Sequence, residues 1–176
     1  MRSIWRVIES GFGCIALAII GIYLLVSPSL CQAANNCPWI NEATVSGLLG
    51  GNAVGQVASA DDGKTTVCEF IEQNAGFKRI LRLTVEVSAD DHPSLDSIAR
   101  GCGIDAVSLK AIGNEALICS VKDPKPGFGE RVVGRVRNQL FTIIIYTTLN
   151  PDPTLTREAL KVRIYSAAEQ IAGNLF

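Results

Sequence analysis

The chain has 176 residues, 16 basic and 17 acidic, with a formal net charge of −1 and 48% apolar residues. That length suits one domain, and that apolar content excludes a disordered chain. A surface this close to neutral excludes general nucleic-acid binding, which needs a basic face to neutralise phosphates, and the single histidine excludes a His–His metal site within the chain.

Arg2 and Arg6 open the chain with positive charge, and a sixteen-residue apolar run, Gly11 to Val26, follows without a charge. Ser27-Pro28-Ser29 breaks that run, because proline lacks an amide hydrogen and restricts the residue before it. Cys31-Gln32-Ala33 then places small residues at its first and third positions. This is the layout of a signal peptide over residues 1–33, cut after Ala33. The alternative is an anchor retained in the inner membrane through residues 11–26. Sixteen residues at a helical rise of roughly 1.5 Å span about 24 Å, short of a ~30 Å hydrocarbon core. Leu30, directly before Cys31, argues against lipidation, which wants a small residue there. The expectation is an exported protein, periplasmic or secreted, with one globular domain over 34–176. Taking Arg2, Arg6 and Glu9 from the 16 basic and 17 acidic residues leaves 14 and 16, a net charge of −2.

Four cysteines fall in that domain: Cys37, Cys68, Cys102 and Cys119. An even count in an exported chain points to disulfides, and four cysteines allow three pairings. Sequential pairing, Cys37–Cys68 and Cys102–Cys119, closes the shorter loops and is the expected one. Each bridge would contribute about 3 kcal/mol through the unfolded state. Zinc is disfavoured, since no CxxC pair exists and the spacings are 31, 34 and 17.

In chain order, Asn41 is a good N-cap for a helix with Val45, Leu48 and Leu49 on its apolar stripe, ended by Gly50-Gly51. Val54 to Ala58 reads as a short strand, Asp61-Asp62-Gly63 as a turn and Thr65 to Glu72 as a strand with Cys68 and Phe70 on one face. Arg79 to Val87 alternates Leu81, Leu83, Val85 and Val87 with Arg82, Thr84 and Glu86, the signature of a half-buried strand. Pro93 to Arg100 predicts a short helix closed by Gly101-Cys102-Gly103. Glu115 to Val121 predicts a strand, and Lys122 to Gly129 a Pro- and Gly-rich loop. Arg131 to Arg137 and Leu140 to Thr148 predict a hairpin around Asn138-Gln139, with Val132, Val136, Phe141, Ile143 and Ile145 on one face. The other face carries arginines but also Val133, Ile144 and Tyr146, so the sheet wants cover on both faces. The last segment predicts a helix capped by Asp152 with Pro153 at its first position, burying Leu160, Ile164, Ala167, Ala168, Ile171 and Leu175. The order of elements predicts an α+β fold, a mostly antiparallel sheet flanked by helices and stapled by disulfides.

Cys37-Pro38-Trp39, Leu48-Leu49-Gly50 and Cys68-Glu69-Phe70 resemble a family of small exported bacterial proteins built on a domain of unknown function. Ile112-Gly113-Asn114-Glu115-Ala116 and Arg135-Val136-Arg137-Asn138-Gln139, leading into Phe141, add to it. The family is similar to the PsbP-like α/β/α sandwich proteins. The resemblance implies that fold and a binding or accessory role, and carries over no catalytic residue.

Chemistry-bearing patterns are few. Gly101-Cys102-Gly103-Ile104-Asp105-Ala106 matches the dinucleotide fingerprint in letters, but that chemistry needs a strand before it and a helix after it. Gly50 to Gly55 lacks the Lys-Ser/Thr of a phosphate loop. Asp90-Asp91-His92 has metal-ligand and base–carboxylate residue types, yet three adjacent residues rarely converge unaided. No metal site, cofactor or catalytic residue is therefore assigned. Arg131, Arg135 and Arg137 sit at alternate positions of one strand, with Lys122 and Lys125 in the adjoining loop. Over 122–137 that makes five basic residues against two acidic ones. Guanidinium groups so placed can grip carboxylates or phosphates, and Phe128 offers an aromatic contact on the same loop. The leading expectation is a non-enzymatic extracytoplasmic binding or accessory protein. Its partner would be an envelope protein or an anionic envelope component, and the membrane would be met only through the N-terminal segment. One alternative is a small hydrolase-type enzyme using Asp90, Asp91, Glu115 or Glu130. Another is a membrane-anchored assembly subunit.

Overall fold

The computed structural model describes residues 36–59, 63–121 and 126–176, which form one compact unit. The expected signal peptide or anchor, the Asp61-Asp62 turn, Lys122 and Lys125 lie outside the described residues. Seven strands build one sheet: β1 (Val54–Ser59), β2 (Thr65–Asn74), β3 (Phe77–Val87), β4 (Val107–Leu109), β5 (Glu115–Ser120), β6 (Phe128–Val136) and β7 (Gln139–Thr147). Their order is β1-β2-β3-β7-β6-β5-β4, and each pairing is antiparallel. Helices α1 (Glu42–Leu49) and α3 (Arg157–Leu175) pack on one face. The fold is α+β.

That covered face holds the main core. Cys68, Phe70, Leu81, Leu83, Val132, Val136, Phe141, Ile143 and Ile145 meet Val45 and Leu49 of α1 and Leu160, Ile164 and Ile171 of α3. Strand alternation puts these residues in phase. The Cys37–Cys68 disulfide, with Cα atoms 5.7 Å apart, ties the segment before α1 to the same core. Asn41 caps α1 as expected, its Oδ1 accepting from Thr44 N at 2.8 Å. Gly50 ends the helix at φ +85°, a left-handed conformation that glycine adopts without a steric cost.

The outer face carries a thinner layer. The expected helix over 93–100 shortens to α2 (Asp96–Ala99), followed by a 3₁₀ turn, Gly103–Asp105. The Cys102–Cys119 disulfide, Cα–Cα 5.3 Å, pins this segment over β5 and β6. A second cluster forms there from Cys102, Cys119 and Val133, with Ile98, Ala99, Ala106 and Leu117 around it. Both expected disulfide pairings are present.

Other boundaries differ from the expectation too: β6 begins at Phe128, inside the expected 122–129 loop, and β4 was not expected. β2 and β3 run on to a two-residue Ala75-Gly76 turn, with Asn74 opposite Phe77 and Gly76 at φ +96°. The β6–β7 turn is Arg137-Asn138, not Asn138-Gln139, with Val136 opposite Gln139 and Arg137 at φ +54°. Moving the turn back by one residue shifts each cross-strand pair by two, so every side chain keeps its face. The expected inward set therefore survives a wrong turn. Finally, α3 is capped by Thr156, whose Oγ1 accepts from Ala159 N at 3.2 Å. Asp152 accepts from Thr154 N and Leu155 N at 2.8 and 2.9 Å. That is a cap's hydrogen-bond pattern on a turn that precedes the helix, and Pro153 lies in this turn too.

Candidate functional site

The outer face over β3, β7 and β6 is where the polar chemistry gathers. Reading across the sheet, one row runs Gln56, Glu69, Arg82, Ile144, Arg131 and Cys119. The next row places Thr84 opposite Thr142, and Thr142 opposite Val133. Arg82 Nε donates to Glu69 Oε2 at 2.7 Å, and the pair is a salt bridge with Arg82 half open to solvent. Such a pair is worth less than about 1 kcal/mol. A shallow hollow of about 190 Å³ lies beside it, lined by Gln56, Val57, Ala58, Val67, Glu69 and Arg82. Small-molecule pockets start near ~300 Å³, so this hollow is surface relief. Tyr146 shares the face. Burial raises its phenol pKa, Glu69 raises it further, and Arg82 opposes them with the smallest effect. The phenol stays protonated at neutral pH and is available as a donor.

Of the residues singled out from sequence, Arg131 and Arg135 share this outer face, opposite Cys119 and Glu115 on β5. Arg137 does not join them. It sits in the hairpin turn, exposed, with its guanidinium 5.6 Å from the Phe176 ring at the end of α3. The three-arginine strip is thus corrected to two, because the strand stops at Val136 and a turn residue no longer obeys its alternation. Phe128 is corrected as well. It opens β6, belongs to the main core at 5% exposure, and carries the Arg157 guanidinium 4.7 Å from its ring. A ring so covered is not a contact anchor.

The four carboxylates weighed for acid–base work do not converge. Asp90 and Asp91 are exposed after β3. Glu115 is exposed on the outer face opposite Arg135, whereas Glu130 is buried at 4% on the helix-covered face, accepting from Ser120 Oγ at 3.1 Å. Gly101 to Ala106 follows α2 and leads into the 3₁₀ turn, so it lacks the strand–turn–helix context a dinucleotide needs. Among the described residues no group of three His, Cys, Asp or Glu side chains could hold a metal ion. No helix among them is long and apolar enough to cross a membrane.

Sequence reasoning missed the most developed polar cluster. Arg79 is 3% exposed. Its Nε and Nη2 donate to Asp152 Oδ2 and Oδ1 at 2.8 and 2.9 Å. Its Nη1 donates to Glu72 Oε2 at 3.0 Å and to Leu49 O at 3.3 Å. Thr147 Oγ1 donates to Asp152 Oδ2 at 2.7 Å. The strongest influence on Asp152 is burial, which favours its neutral form. The Arg79 hydrogen bonds, with those from Leu155, Thr147 and Thr154, outweigh it together and hold the carboxyl well below the usual range. Arg79 is pushed up in turn, first by its hydrogen bonds to Asp152. Every strong donor and acceptor is engaged, so the cluster clamps α1, the β2–β3 hairpin and the turn before α3. It has no free valence for a ligand. The signal for it was present: Glu72 is in phase with Cys68 and Phe70, and Arg79 with Leu81 and Leu83.

No family model, curated protein or solved structure matches the chain.

Proposed function

We propose that the chain is a non-enzymatic extracytoplasmic binding or accessory protein, and that it meets its partner through the outer face of the sheet. One observation carries the reading: Arg82, Arg131 and Arg135 share the face that neither α1 nor α3 covers. Glu69 holds Arg82 and Glu115 stands opposite Arg135, so the face offers graded positive charge among Ile144, Tyr146 and Thr142. A mixed surface of this kind suits an anionic group on a larger partner better than a buried small molecule. The two buried disulfides support export, since such bonds persist in oxidising compartments. One antiparallel sheet with helices on one face and a thin second layer supports placing the fold among PsbP-like sandwiches. The enzyme reading is disfavoured because Glu115 and Glu130 point to opposite faces.

The test is cross-linking of the tagged full chain in its own cells. The wild type is compared with a variant carrying Arg82→Ser, Arg131→Ser and Arg135→Ser. The expected result is loss of a defined cross-linked species at unchanged protein level. An unchanged cross-linking profile counts against this face.

A further inference from the structure

Arg131 is the one described residue whose buried side-chain polar atom lacks a hydrogen-bond partner: its Nε is shut off from solvent and bonds to nothing. Among the described residues no ion pair includes it either. The contrast with Arg79 is direct, since the same chain gives that buried guanidinium hydrogen bonds to three acceptor groups, Asp152, Glu72 and Leu49 O. Native proteins leave few buried polar atoms unpaired, and here one N–H of a cation is left so. The neighbours explain how the cost is imposed. Arg131 lies opposite Cys119 and Ile144. Its Nη1 is pressed on Gly101, where any side chain would overlap it. The glycine at the end of α2 therefore makes room for this guanidinium under the edge of the disulfide-pinned layer.

We propose that Arg131 anchors a site for an oxyanion, a carboxylate or phosphate group, on the outer face of the sheet. Arg131 is half-buried as a residue, and its Nη atoms are not among the buried unpaired atoms, which leaves that edge of the guanidinium open. The charge is delocalised over the whole group, and an oxyanion seated on the open edge offsets the desolvation of Nε without touching that atom. Two further polar side chains stand on the same face. Arg82 stands two strands away in the same row, roughly 10 Å at ordinary strand spacing. Thr142, opposite Val133, places a hydroxyl in the adjoining row. The inference rests on the reading of this face as the binding surface and names the chemistry that it recognises.

The proposal predicts an unusual pair of effects. An arginine kept for packing stabilises the fold, whereas one kept for a ligand costs stability until the ligand arrives. The experiment compares urea midpoints of the full chain and of Arg131→Met at pH 7, at constant ionic strength, in chloride, phosphate and acetate. In chloride the variant is expected to unfold at a higher urea concentration than the wild type. Phosphate or acetate is expected to raise the wild-type midpoint saturably, as ligand linkage requires, and to raise the variant's less. Any general salting-out effect acts on both proteins alike. A response to phosphate alone assigns a phosphate group, and a response to both anions admits a carboxylate. A lower variant midpoint in chloride, or equal responses of the two proteins to both anions, overturns the proposal. If the variant does not fold, the wild-type Arg131 Nε–Hε resonance is followed during phosphate and acetate titration, and no shift with either overturns it. Should both anions fail while the triple Arg82→Ser, Arg131→Ser, Arg135→Ser variant still loses the cross-linked species, the oxyanion site falls and the binding face stands. Should cross-linking also persist, both fall.

Discussion

Asp152→Asn is the substitution on which the physical account is most exposed. The side chain is 2% exposed and accepts two hydrogen bonds from Arg79, one from Thr147 and two from backbone amides. Asparagine keeps the shape but removes the charge and turns one acceptor into a donor facing donors. Arg79 is then left with Glu72 as its one buried counter-charge. Breaking a buried pair from one side costs about 3–5 kcal/mol, mostly because the remaining charge is uncompensated. At an m-value of roughly 2 kcal/mol per molar urea, the midpoint falls by about 1.5–2.5 M.

The pH dependence follows from the same carboxylate. Its folded pKa lies below its unfolded value. The stabilisation is therefore fully present above the unfolded pKa of about 4 and is lost as pH falls toward the folded value. Wild-type stability should decline from about pH 4 downward, and Asp152→Asn should show a flatter acid limb on a lower plateau. Equilibrium urea unfolding at a series of pH values measures both. A variant midpoint within about 0.3 M of wild type would refute the reasoning, as would an acid limb of wild-type steepness. The double variant Arg79→Met with Asp152→Leu is expected to lose less than the two single changes combined, because apolar replacement removes both desolvation penalties.

Three further outcomes are expected. Phe128→Ala should cost about 3–5 kcal/mol in urea unfolding, as for a core aromatic; a loss below about 1 kcal/mol would return the residue to the surface. Cys102→Ser with Cys119→Ser should cost about 3 kcal/mol and raise hydrogen exchange over 95–106 and at Val133, while leaving α3 protected. Gly134 lies opposite Phe141, whose ring fills the space a Cβ would take, so Gly134→Ala should cost about 1–3 kcal/mol by overpacking, read as a lowered melting temperature.

How much of this was legible in the sequence depends on which interaction decided each feature. Side-chain alternation decided the faces, and alternation is local, so the inward set of β6 and β7 was readable although its turn was misplaced. The disulfides were readable from loop closure, which depends on spacing. Element ends were less so. Gly76 accommodates a tight turn that extends β2 and β3 beyond the expected limits. The cap of α3 moved because Asp152 was claimed by a partner 73 residues away, a distance no local rule spans. The expected arginine strip failed at one member for a related reason: alternation applies only as far as the strand, and Arg137 lies just past its end.

Glu72 and Arg79 show what a closer reading would use. Each occupies the core phase of its strand, Glu72 after Cys68 and Phe70 and Arg79 before Leu81 and Leu83. A charge at such a position is either an error of register or one half of a buried pair, because an unpaired charge there would cost too much. Once β2 and β3 are joined through the Ala75-Gly76 turn, the two charges fall directly opposite each other. Arg131 breaks the same rule in the other direction. It sits on the outer face, where charge is ordinary, yet its Nε is desolvated and unpaired. The core cluster is satisfied by the fold and so explains stability. The outer-face arginine is not satisfied by the fold, and the proposed oxyanion on its open edge would offset that charge without bonding to Nε itself.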